Sequence, residues 1–439
     1  MKKLLFILII GCSLASCQSY KRNAKELLQW HHKANIYEIL PLQYPDTNGF
    51  TSLISHRAYL RKLFINTIAL LPITSPQEIN EPYSISNPYK VKDFYKINPK
   101  LGTAKDFAAL LDSFHNLKIK CLLEFDFSIT ALDHPWRSSN PEFYKVKELL
   151  DNKNLPANYL DLDHTNSKVQ NELLKVVNHW LKSHAIDGLI IRGLAHSPKE
   201  FVRELYNTIA VKNNSIFISD ANADHLSNIK IPCGILNQEL LDKLISTYKD
   251  TVSTSSIINL IEKSKTLDKN LYFVNFTHSV STELTIGSMQ QTFDYQNKLM
   301  AVLSQFVNGV PMIFNGQECP IFEKIDFTTR SPLNLKYQYH SDFYRALFLH
   351  RFYNEAFQVK AGENTKLIIE SDCVVGIKRS FGNQYTILIA NLCATPQNYQ
   401  VNENLLLVSE LFSHAKLKFE MGKVLPLNGY QFLVVTNKY

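Results

Sequence analysis

Short apolar runs alternate with amphipathic segments along most of the chain. The apolar runs are rich in Val, Ile, Leu and Phe, as expected of parallel strands buried on both faces. They predict eight strands: Ile36–Leu40, Thr67–Leu71, Ile119–Phe125, Gly188–Ile191, Ser215–Ser219, Pro232–Leu236, Leu271–Asn275 and Pro311–Phe314. Helical periodicity predicts helices over Thr51–Leu63, Ala104–Leu117, Lys168–His184, Pro198–Thr208, Glu239–Ser264, Phe293–Val307 and Asp342–Tyr353. This alternation predicts a (β/α)8 TIM barrel over residues 30–357.

Two parts of the chain depart from this alternation. Residues 128–166, after the third strand, are rich in Pro, Asn, Asp and aromatic residues, and they predict a short insertion over the barrel mouth. Residues 358–439 have short alternating segments without helices, which predict a C-terminal antiparallel β-sandwich domain. Its predicted strands are Cys373–Arg379, Tyr385–Asn391, Lys416–Phe419 and Phe432–Val435.

The first residues have the pattern of an export signal. Two lysines precede the apolar segment Leu4–Ile10, which is too short to span a membrane. Small residues then precede Cys17, as in bacterial lipoprotein cleavage sites. We therefore predict a signal peptide over residues 1–16, lipidation of Cys17, and a tether over residues 17–29. The protein would be exported and anchored in the cell envelope, at the outer membrane or cell surface. The alternative is an ordinary secretory signal cut nearby.

Charge and cysteine content limit the classes of partner and cofactor. Removing the two lysines of the signal lowers the net charge from +7 to +5, and no dense basic segment is present, so nucleic acid is not an expected partner. Five cysteines outside the signal and lipidation site are scattered without metal-ligand spacing. We interpret them as buried thiols, with one disulfide as the alternative outside the cytoplasm. They are Cys121, Cys233, Cys319, Cys373 and Cys393.

Several segments, in order, resemble motifs of glycoside hydrolase family 13, the α-amylase family. They are Ile36–Pro41 with Asp46–Phe50, Ile68–Ile73, Asn87–Tyr95 with Leu101–Thr103, Asp133–Trp136, and Gly309–Glu318. The resemblance runs from about residue 30 to the C-terminus. It implies the barrel fold and the retaining cleavage or transfer of α-glucosidic bonds. That chemistry needs a carboxylate nucleophile and a carboxylic acid/base.

The chain departs from the family pattern at the ends of the catalytic strands. The fourth strand places Arg192 at the position of the nucleophile. The fifth strand offers Asp220 where the family has its glutamate acid/base. The seventh strand keeps Asn275 but places Thr277 at the third carboxylate. Because arginine stays protonated, it cannot replace the nucleophile.

The third strand also lacks the polar residues of the family. Ser128 and Ile129 replace an Asn-His pair, whose Asn supports a calcium ion in the family, so we expect no cofactor. With Ile190 and Phe276, Ile129 makes sugar-binding positions apolar, which would leave substrate hydroxyls without partners. These changes predict that hydrolysis by the family mechanism is lost.

A few residues remain as candidates for the site. Asp220 is a weak candidate acid/base; its alternative role is a salt bridge to Arg192, for which Glu124 and Asp126 are rival partners. Sugar contacts are expected from Tyr89, Trp136 and Asn275, with plain packing as the alternative for the two aromatic residues. Three histidines are interpreted as surface or loop residues, namely His134, His164 and His196.

The main hypothesis is a non-catalytic lipoprotein that binds an α-glucan, an oligosaccharide or a membrane protein partner. One alternative is an active retaining α-glucosidase or α-amylase-type hydrolase of altered mechanism, which would use Asp220 with Glu124 or Asp126. The other alternative is a structural or assembly lipoprotein without affinity for sugars.

Overall fold

The computed structural model of the chain describes residues 24–44, 48–77, 87–145, 159–249, 255–319, 321–325, 327, 332–333, 335 and 338–438. The predicted signal peptide, Cys17 and the middle of the insertion lie outside these residues. Within the described part, none of the helices combines the length and the apolar character needed to cross a bilayer.

The strands are short, and most are largely buried. In chain order they are β1 (Ile36–Ile39), β2 (Thr67–Leu70), β3 (Thr74–Pro76), β4 (Val91–Ile97), β5 (Lys120–Asp126), β6 (Ile129–Ala131), β7 (Tyr159–Asp161), β8 (Gly188–Arg192), β9 (Ile216–Ser219), β10 (Cys233–Leu236), β11 (Leu271–Asn275), β12 (Val310–Phe314), β13 (Thr365–Glu370), β14 (Val374–Phe381), β15 (Gln384–Asn391), β16 (Gln397–Gln400), β17 (Leu405–Glu410), β18 (Lys416–Phe419), β19 (Val424–Leu427) and β20 (Phe432–Thr436).

The helices alternate with the barrel strands. They are α1 (Ala24–Lys33), α2 (Gly49–Lys62), α3 (Ala104–His115), α4 (Trp136–Ser139), α5 (Ser167–Ser183), α6 (Lys199–Tyr206), α7 (Ala223–Leu226), α8 (Gln238–Tyr248), α9 (Ser255–Lys265), α10 (Val280–Thr285), α11 (Met289–Phe293), α12 (Asn297–Phe306) and α13 (Ser341–Tyr353). Short 3-10 segments lie at Pro41–Gln43, Pro141–Phe143, Asp294–Gln296, Glu355–Phe357 and Val359–Asn364, and a π-helical segment lies at Asn207–Lys212.

Eight parallel strands close into a barrel in the order β1-β12-β11-β10-β9-β8-β5-β2. The fold predicted from the apolar periodicity is therefore confirmed, and each of the eight predicted barrel strands coincides with an observed one to within a residue at either end. Local signals define the helix starts as well. Thr103 and Asp106 form a reciprocal capping box at the start of α3, which satisfies backbone N–H groups that the helix itself leaves free.

The helix predicted over Glu239–Ser264 is wrong in one respect, because the structure has two helices there, α8 and α9. The sequence between them contains Thr251–Thr254, a run of β-branched and hydroxyl residues with low helix propensity. Helix α1 begins inside the range predicted as a tether. Its Trp30 is buried, and the indole nitrogen donates to the Thr67 hydroxyl at 2.8 Å.

The C-terminal domain is antiparallel, as predicted. Six strands form a sheet in the order β13-β14-β15-β20-β17-β18, and β16 pairs with β19 in a separate two-stranded sheet. Buried side chains of both sheets, including Tyr399 and Leu427, share a hydrophobic core. A disulfide between Cys373 and Cys393 closes the open end of the β14–β15 hairpin. The interpretation of all five cysteines as thiols is therefore wrong for this pair and confirmed for the other three, which are buried.

Candidate functional site

Arg192 lies at the C-terminal end of β8, where the strands of such barrels present their functional residues. In the register of β5 and β8, Glu124 lies beside Ile190 and Asp126 beside Arg192. Residues two apart along a strand face the same side, so Glu124 and Arg192 face the same side of the barrel wall. Glu38 of β1 is aligned with Ala69 and Phe314 on its two neighbouring strands.

Two buried glutamates hold the guanidinium group of Arg192. Its Nε donates to Glu124 Oε1 in a short hydrogen bond, and its Nη2 lies 3.1 Å from Glu38 Oε1. Both glutamates are fully buried, whereas the Arg192 side chain is 13% exposed. The Tyr89 hydroxyl donates to the same Glu124 oxygen at 2.5 Å, and its ring centroid lies 5.8 Å from the guanidinium carbon. Arg192 is thus anchored inside the protein, at the C-terminal end of the barrel strands.

The environment of this group shifts the pKa of Glu38. Burial, the negative charge of Glu124 and a hydrogen bond to it raise the pKa of Glu38 well above its usual range, while Arg192 offsets part of the rise. Burial also raises the pKa of Tyr89 well above its usual value. The raised pKa favours the protonated form of Glu38, whereas the guanidinium group of Arg192 lies against Oε1 of both glutamates.

The predicted salt bridge between Asp220 and Arg192 is wrong, and the rival partner Glu124 is confirmed. Asp220 instead accepts hydrogen bonds from the backbone N–H groups of Gly193 and Leu194, each at 2.7 Å. Gly193 has φ +80°, and a Cβ there would lie 2.5 Å from Asp126 Oδ1. This turn brings the backbone amides to Asp220, so the carboxyl group is satisfied without the arginine.

Asp126 and Asp220 are neighbours on either side of this turn. Burial raises the pKa of both carboxyl groups, and the nearby charge of Asp220 raises that of Asp126 further. Asp126 Oδ1 accepts from the backbone N–H of Ser128 at 2.8 Å and from its hydroxyl at 2.5 Å. Ser128 stands at the family's calcium-supporting position, and here its hydroxyl is directed to a carboxylate of the protein.

His164 also lies at this turn, buried rather than on the surface. Its Nε2 donates to the Phe127 carbonyl at 2.7 Å, so its Nδ1 accepts from the Ser197 hydroxyl at 2.6 Å. Burial lowers the pKa of His164, which favours this neutral tautomer. His134 is likewise a buried loop residue, whereas His196 is exposed as predicted. All three histidines lie in loops, as predicted, and the burial of two of them is a feature that helical or strand periodicity does not report.

An apolar cluster covers the barrel mouth. Tyr89 and Ile129 pack there with Leu40, Leu71 and Phe314. Ile190 and Phe276, which were predicted to line the same wall, belong to the main core of the barrel. The mouth is therefore filled by Ile129 of β6 and by side chains of the neighbouring loops, and the Arg192 network lies beneath them.

The other predicted sugar contacts are engaged within the protein. Asn275 accepts from Asn237 Nδ2 at 2.8 Å and donates to the carbonyls of Ser304 and Val307. Thr277 accepts from Gln317 Nε2 at 3.0 Å. The ring of Trp136 packs against His134, Phe94 and Phe143, with centroids 4.4–5.6 Å apart.

A buried pair after the seventh barrel strand was not predicted. His278 Nε2 lies 2.7 Å from Glu283 Oε2, and the other oxygen of Glu283 accepts from the Ile325 backbone N–H at 2.5 Å. His278 directly follows Thr277, so the loop keeps a histidine one position later than the family. His278 contacts Glu283 in the first turn of α10, and within the described part of the chain it makes no hydrogen bond with Arg192 or its glutamate partners.

One group of side chains has the geometry of a metal site. The ligand atoms of His115, Cys121 and Asp187 lie within 4.8 Å of one another at the opposite end of the barrel. His115 Nε2 lies 2.9 Å from Asp187 Oδ2, which also accepts from the Cys121 backbone N–H at 2.8 Å. Lys120 Nζ lies 3.7 Å from the other oxygen of Asp187. Lys120 therefore supplies positive charge where a metal ion would bind. We interpret Asp187 with His115 and Lys120 as a structural ion-pair group.

Comparisons with known proteins agree with the resemblance. Residues 39–148 match the family model described as alpha amylase, catalytic domain. The chain is 29% identical to trehalose-6-phosphate hydrolase of Bacillus subtilis over 30% of its length and 25% of that protein. It is 25% identical to probable oligo-1,6-glucosidase 3 of B. subtilis over 39% of the chain and 37% of that protein. It is 24% identical to maltase A2 of Drosophila melanogaster over 57% and 51%.

These alignments span from a quarter to about half of the relatives' own lengths. Solved structures extend the likeness in fold to nearly the whole chain. The maltogenic α-amylase AmyB of Thermotoga neapolitana covers 92% of this chain and 98% of its own at a TM-score of 0.78 and 17% identity. An α-amylase from Lactobacillus plantarum covers 92% and 99% at a TM-score of 0.77 and 17% identity. The family model thus matches about a quarter of the chain, the curated relatives cited above are named as glycoside hydrolases, and the solved structures share the fold over nearly the whole chain.

Proposed function

We propose that this protein is an exported, lipid-anchored protein of the α-amylase fold that binds α-glucan oligosaccharides without hydrolysing them by the family mechanism. The observation that carries the proposal is the place of Arg192. A side chain that cannot be a nucleophile occupies the end of the fourth barrel strand, and two buried glutamates hold it there.

Magnitudes favour the loss of hydrolysis. Removal of a nucleophile alone typically lowers the rate by about 10⁴–10⁶, which is about 5–8 kcal/mol of activation free energy. Exposing Glu124 as a substitute would require breaking its hydrogen bonds with Arg192 and Tyr89. Separating a buried ion pair costs several kcal/mol more, because each charge would lose its partner in a poorly solvated site.

The proposed location is supported by two observations of different kinds. The N-terminal residues contain a basic segment, then an apolar segment, then small residues that end at Cys17, as in lipoprotein signals. The Cys373–Cys393 disulfide is a bond that persists in oxidising compartments and is rare in the cytoplasm.

The second candidate function is glycoside hydrolysis by an altered mechanism, and the comparisons favour it over a binding role. The matched relatives are named as hydrolases and glucosidases. Asp126 and Asp220 also lie near each other with raised pKa values, as a general acid requires. Glu124, the other carboxyl group considered, is occupied by Arg192.

A turnover assay distinguishes the two candidates. The full chain is incubated with maltooligosaccharides, α-glucans and an aryl maltoside, beside Asp220→Ala and Asp126→Asn variants. We expect no turnover above the buffer rate in any of them. Turnover by the wild-type chain that disappears in Asp220→Ala, with the variant still folded by circular dichroism, would establish the hydrolase.

Binding is tested separately. Calorimetric titration with maltoheptaose is expected to give saturable heat, and titration with cellohexaose serves as the control for linkage. A folded chain that binds no glycan across a broad panel would refute the proposal and leave a role as a protein-binding or assembly lipoprotein.

A further inference from the structure

A large groove lies between the barrel and the C-terminal domain, remote from Arg192. Its volume is about 650 Å³, within the roughly 300–1,000 Å³ of small-molecule sites. One side is formed by helix α13 and the residues just before it, and the other by residues 410–414 and strand β20. The groove combines aromatic rings with charged side chains from both domains.

Three phenylalanines pack together at the base of the groove, where Phe343 is buried and Phe412 and Phe432 are partly exposed. The rings of Phe343 and Phe412 are stacked with centroids 4.9 Å apart and 20° between their planes. Phe432 meets Phe412 edge to face at 5.9 Å. At the rim, Tyr339 has 72% of its surface exposed. Pyranose rings pack with their C–H faces on such aromatic surfaces.

The turn on the far side of the groove is held rigidly. Glu410 Oε2 accepts hydrogen bonds from the backbone N–H groups of Phe412, at 3.0 Å, and Ser413, at 2.6 Å, and from the Ser413 hydroxyl at 2.7 Å. This fixes the position of Phe412 before any ligand arrives. A preformed site avoids the entropic cost of ordering a loop on binding.

The charges of the groove are balanced and suit an uncharged, hydroxyl-rich ligand. Lys298 and Arg345 supply positive charge, and Asp342 and Glu410 supply negative charge. Such a mixture disfavours a polyanion, because its charges would meet carboxylates as well as cations. Carboxylate and guanidinium groups instead form paired hydrogen bonds with neighbouring hydroxyls.

We infer that this groove is the oligosaccharide site of the protein, an inference that rests on the proposed function and locates it away from the barrel mouth. The mouth offers little exposed aromatic surface for a sugar, since Tyr89 is only 5% exposed and its hydroxyl is bound to Glu124. Two or three glucose units lie along the floor, with one ring against Tyr339 and hydroxyls near Asp342 and Arg345.

The test uses the full chain and maltoheptaose in calorimetric titrations. Tyr339→Ala is expected to weaken binding by about tenfold or more, the loss typical of an aromatic anchor. Tyr339→Phe, which keeps the ring, should stay within about threefold of wild type. Tyr295→Ala is the matched control, because Tyr295 is 88% exposed and lies outside the groove. Its affinity should equal that of wild type.

The outcomes separate this inference from the proposed function. Tight binding that is unchanged in both Tyr339→Ala and Arg345→Ala would refute the groove while leaving glycan binding intact. No binding by the folded wild-type chain would refute both. Weakening by Tyr295→Ala as much as by Tyr339→Ala would also refute the groove, because the effect would not depend on this surface.

Discussion

Arg192 carries a positive charge that is paired inside the barrel with Glu124, while Glu38 accepts a second hydrogen bond from it and solvent reaches it only slightly. The complete network is stable, whereas removal of either Arg192 or its glutamate partner leaves a buried charge unpaired. A buried carboxylate without its cation must either take up a proton or remain unpaired in a poorly polarisable medium.

We therefore expect Arg192→Met to lower the free energy of unfolding by about 3–5 kcal/mol, in urea or thermal denaturation. The double variant Arg192→Met/Glu124→Gln should recover part of this loss, because no charge is then left unpaired. Arg203→Met, on the exposed face of α6, is the control and should change stability by less than about 0.5 kcal/mol. Equal effects of Arg192→Met and Arg203→Met would contradict the network.

Glu318 is a second buried carboxyl group, with tyrosines as its neighbours. Tyr37 donates to its Oε1 at 2.8 Å and Tyr59 at 3.3 Å. Burial raises its pKa from 4.5 to about 7, although these hydrogen bonds oppose the rise. The folded protein therefore binds this proton more tightly than the unfolded chain does, and the stability gained is lost as the pH rises from about 4.5 through 7.

Replacing this group should change the pH dependence of stability. Between pH 5 and pH 8, Glu318→Gln is expected to gain up to about 3 kcal/mol relative to wild type, since it has no proton to lose. Glu323→Gln, at an exposed position in the following loop, should follow the wild-type curve. Parallel curves for wild type and Glu318→Gln would show that the carboxyl group titrates normally.

At the scale of elements, the barrel strands were predictable and the site was predictable only in part. Apolar runs bounded by polar residues define β5 and β8, and the position of Arg192 at the end of β8 follows directly. The contact between Arg192 and Glu38 could not be predicted in this way. Glu38 of β1 lies 154 residues earlier, and its approach depends on the closure of the barrel. The capture of Asp220 by two backbone amides depends on one turn at Gly193, which no side-chain pattern reports.

The β14–β15 hairpin is an element whose stability depends on a covalent bond. The disulfide between Cys373 and Cys393, 20 residues apart, restricts the unfolded chain. We expect Cys373→Ser/Cys393→Ser to lose about 2–4 kcal/mol of stability. Wild type should show a similar loss on adding reductant, and the double variant should not respond to it. If reductant lowers the stability of the double variant as much as that of wild type, the effect does not come from this disulfide.

At the scale of the whole molecule, the barrel and the C-terminal domain are joined through buried arginines. Arg379 of β14 donates to the Gln305 carbonyl at 3.2 Å, in barrel helix α12, and to the Gln358 carbonyl at 2.7 Å. Burial lowers its pKa to about 10. The backbone carbonyl of the buried Arg351 in α13 accepts from the side-chain Nε2 of Gln358, the first residue of the C-terminal domain, at 3.2 Å. Two domains joined in this way should unfold together.

Arg379→Met is expected to cost about 3 kcal/mol or more, because several buried carbonyl groups lose their donor. In calorimetry, wild type is expected to unfold in a single transition and the Arg379→Met variant in two. Lys378→Met is the matched control on the same strand, since Lys378 forms a surface salt bridge with Glu403. A single transition in Arg379→Met would mean that apolar contacts alone couple the domains.

The Arg192 network also bears on how this sequence can drift over generations. A catalytic residue is held constant by its substrate, whereas Arg192 is held by Glu124, Glu38 and the hydroxyl of Tyr89. Exchange of arginine alone leaves an orphaned charge, but joint exchange of arginine and glutamate for apolar side chains of similar volume can be neutral. In proteins descended from this one, residues 192 and 124 should therefore change together, because either change alone leaves a buried charge without its partner.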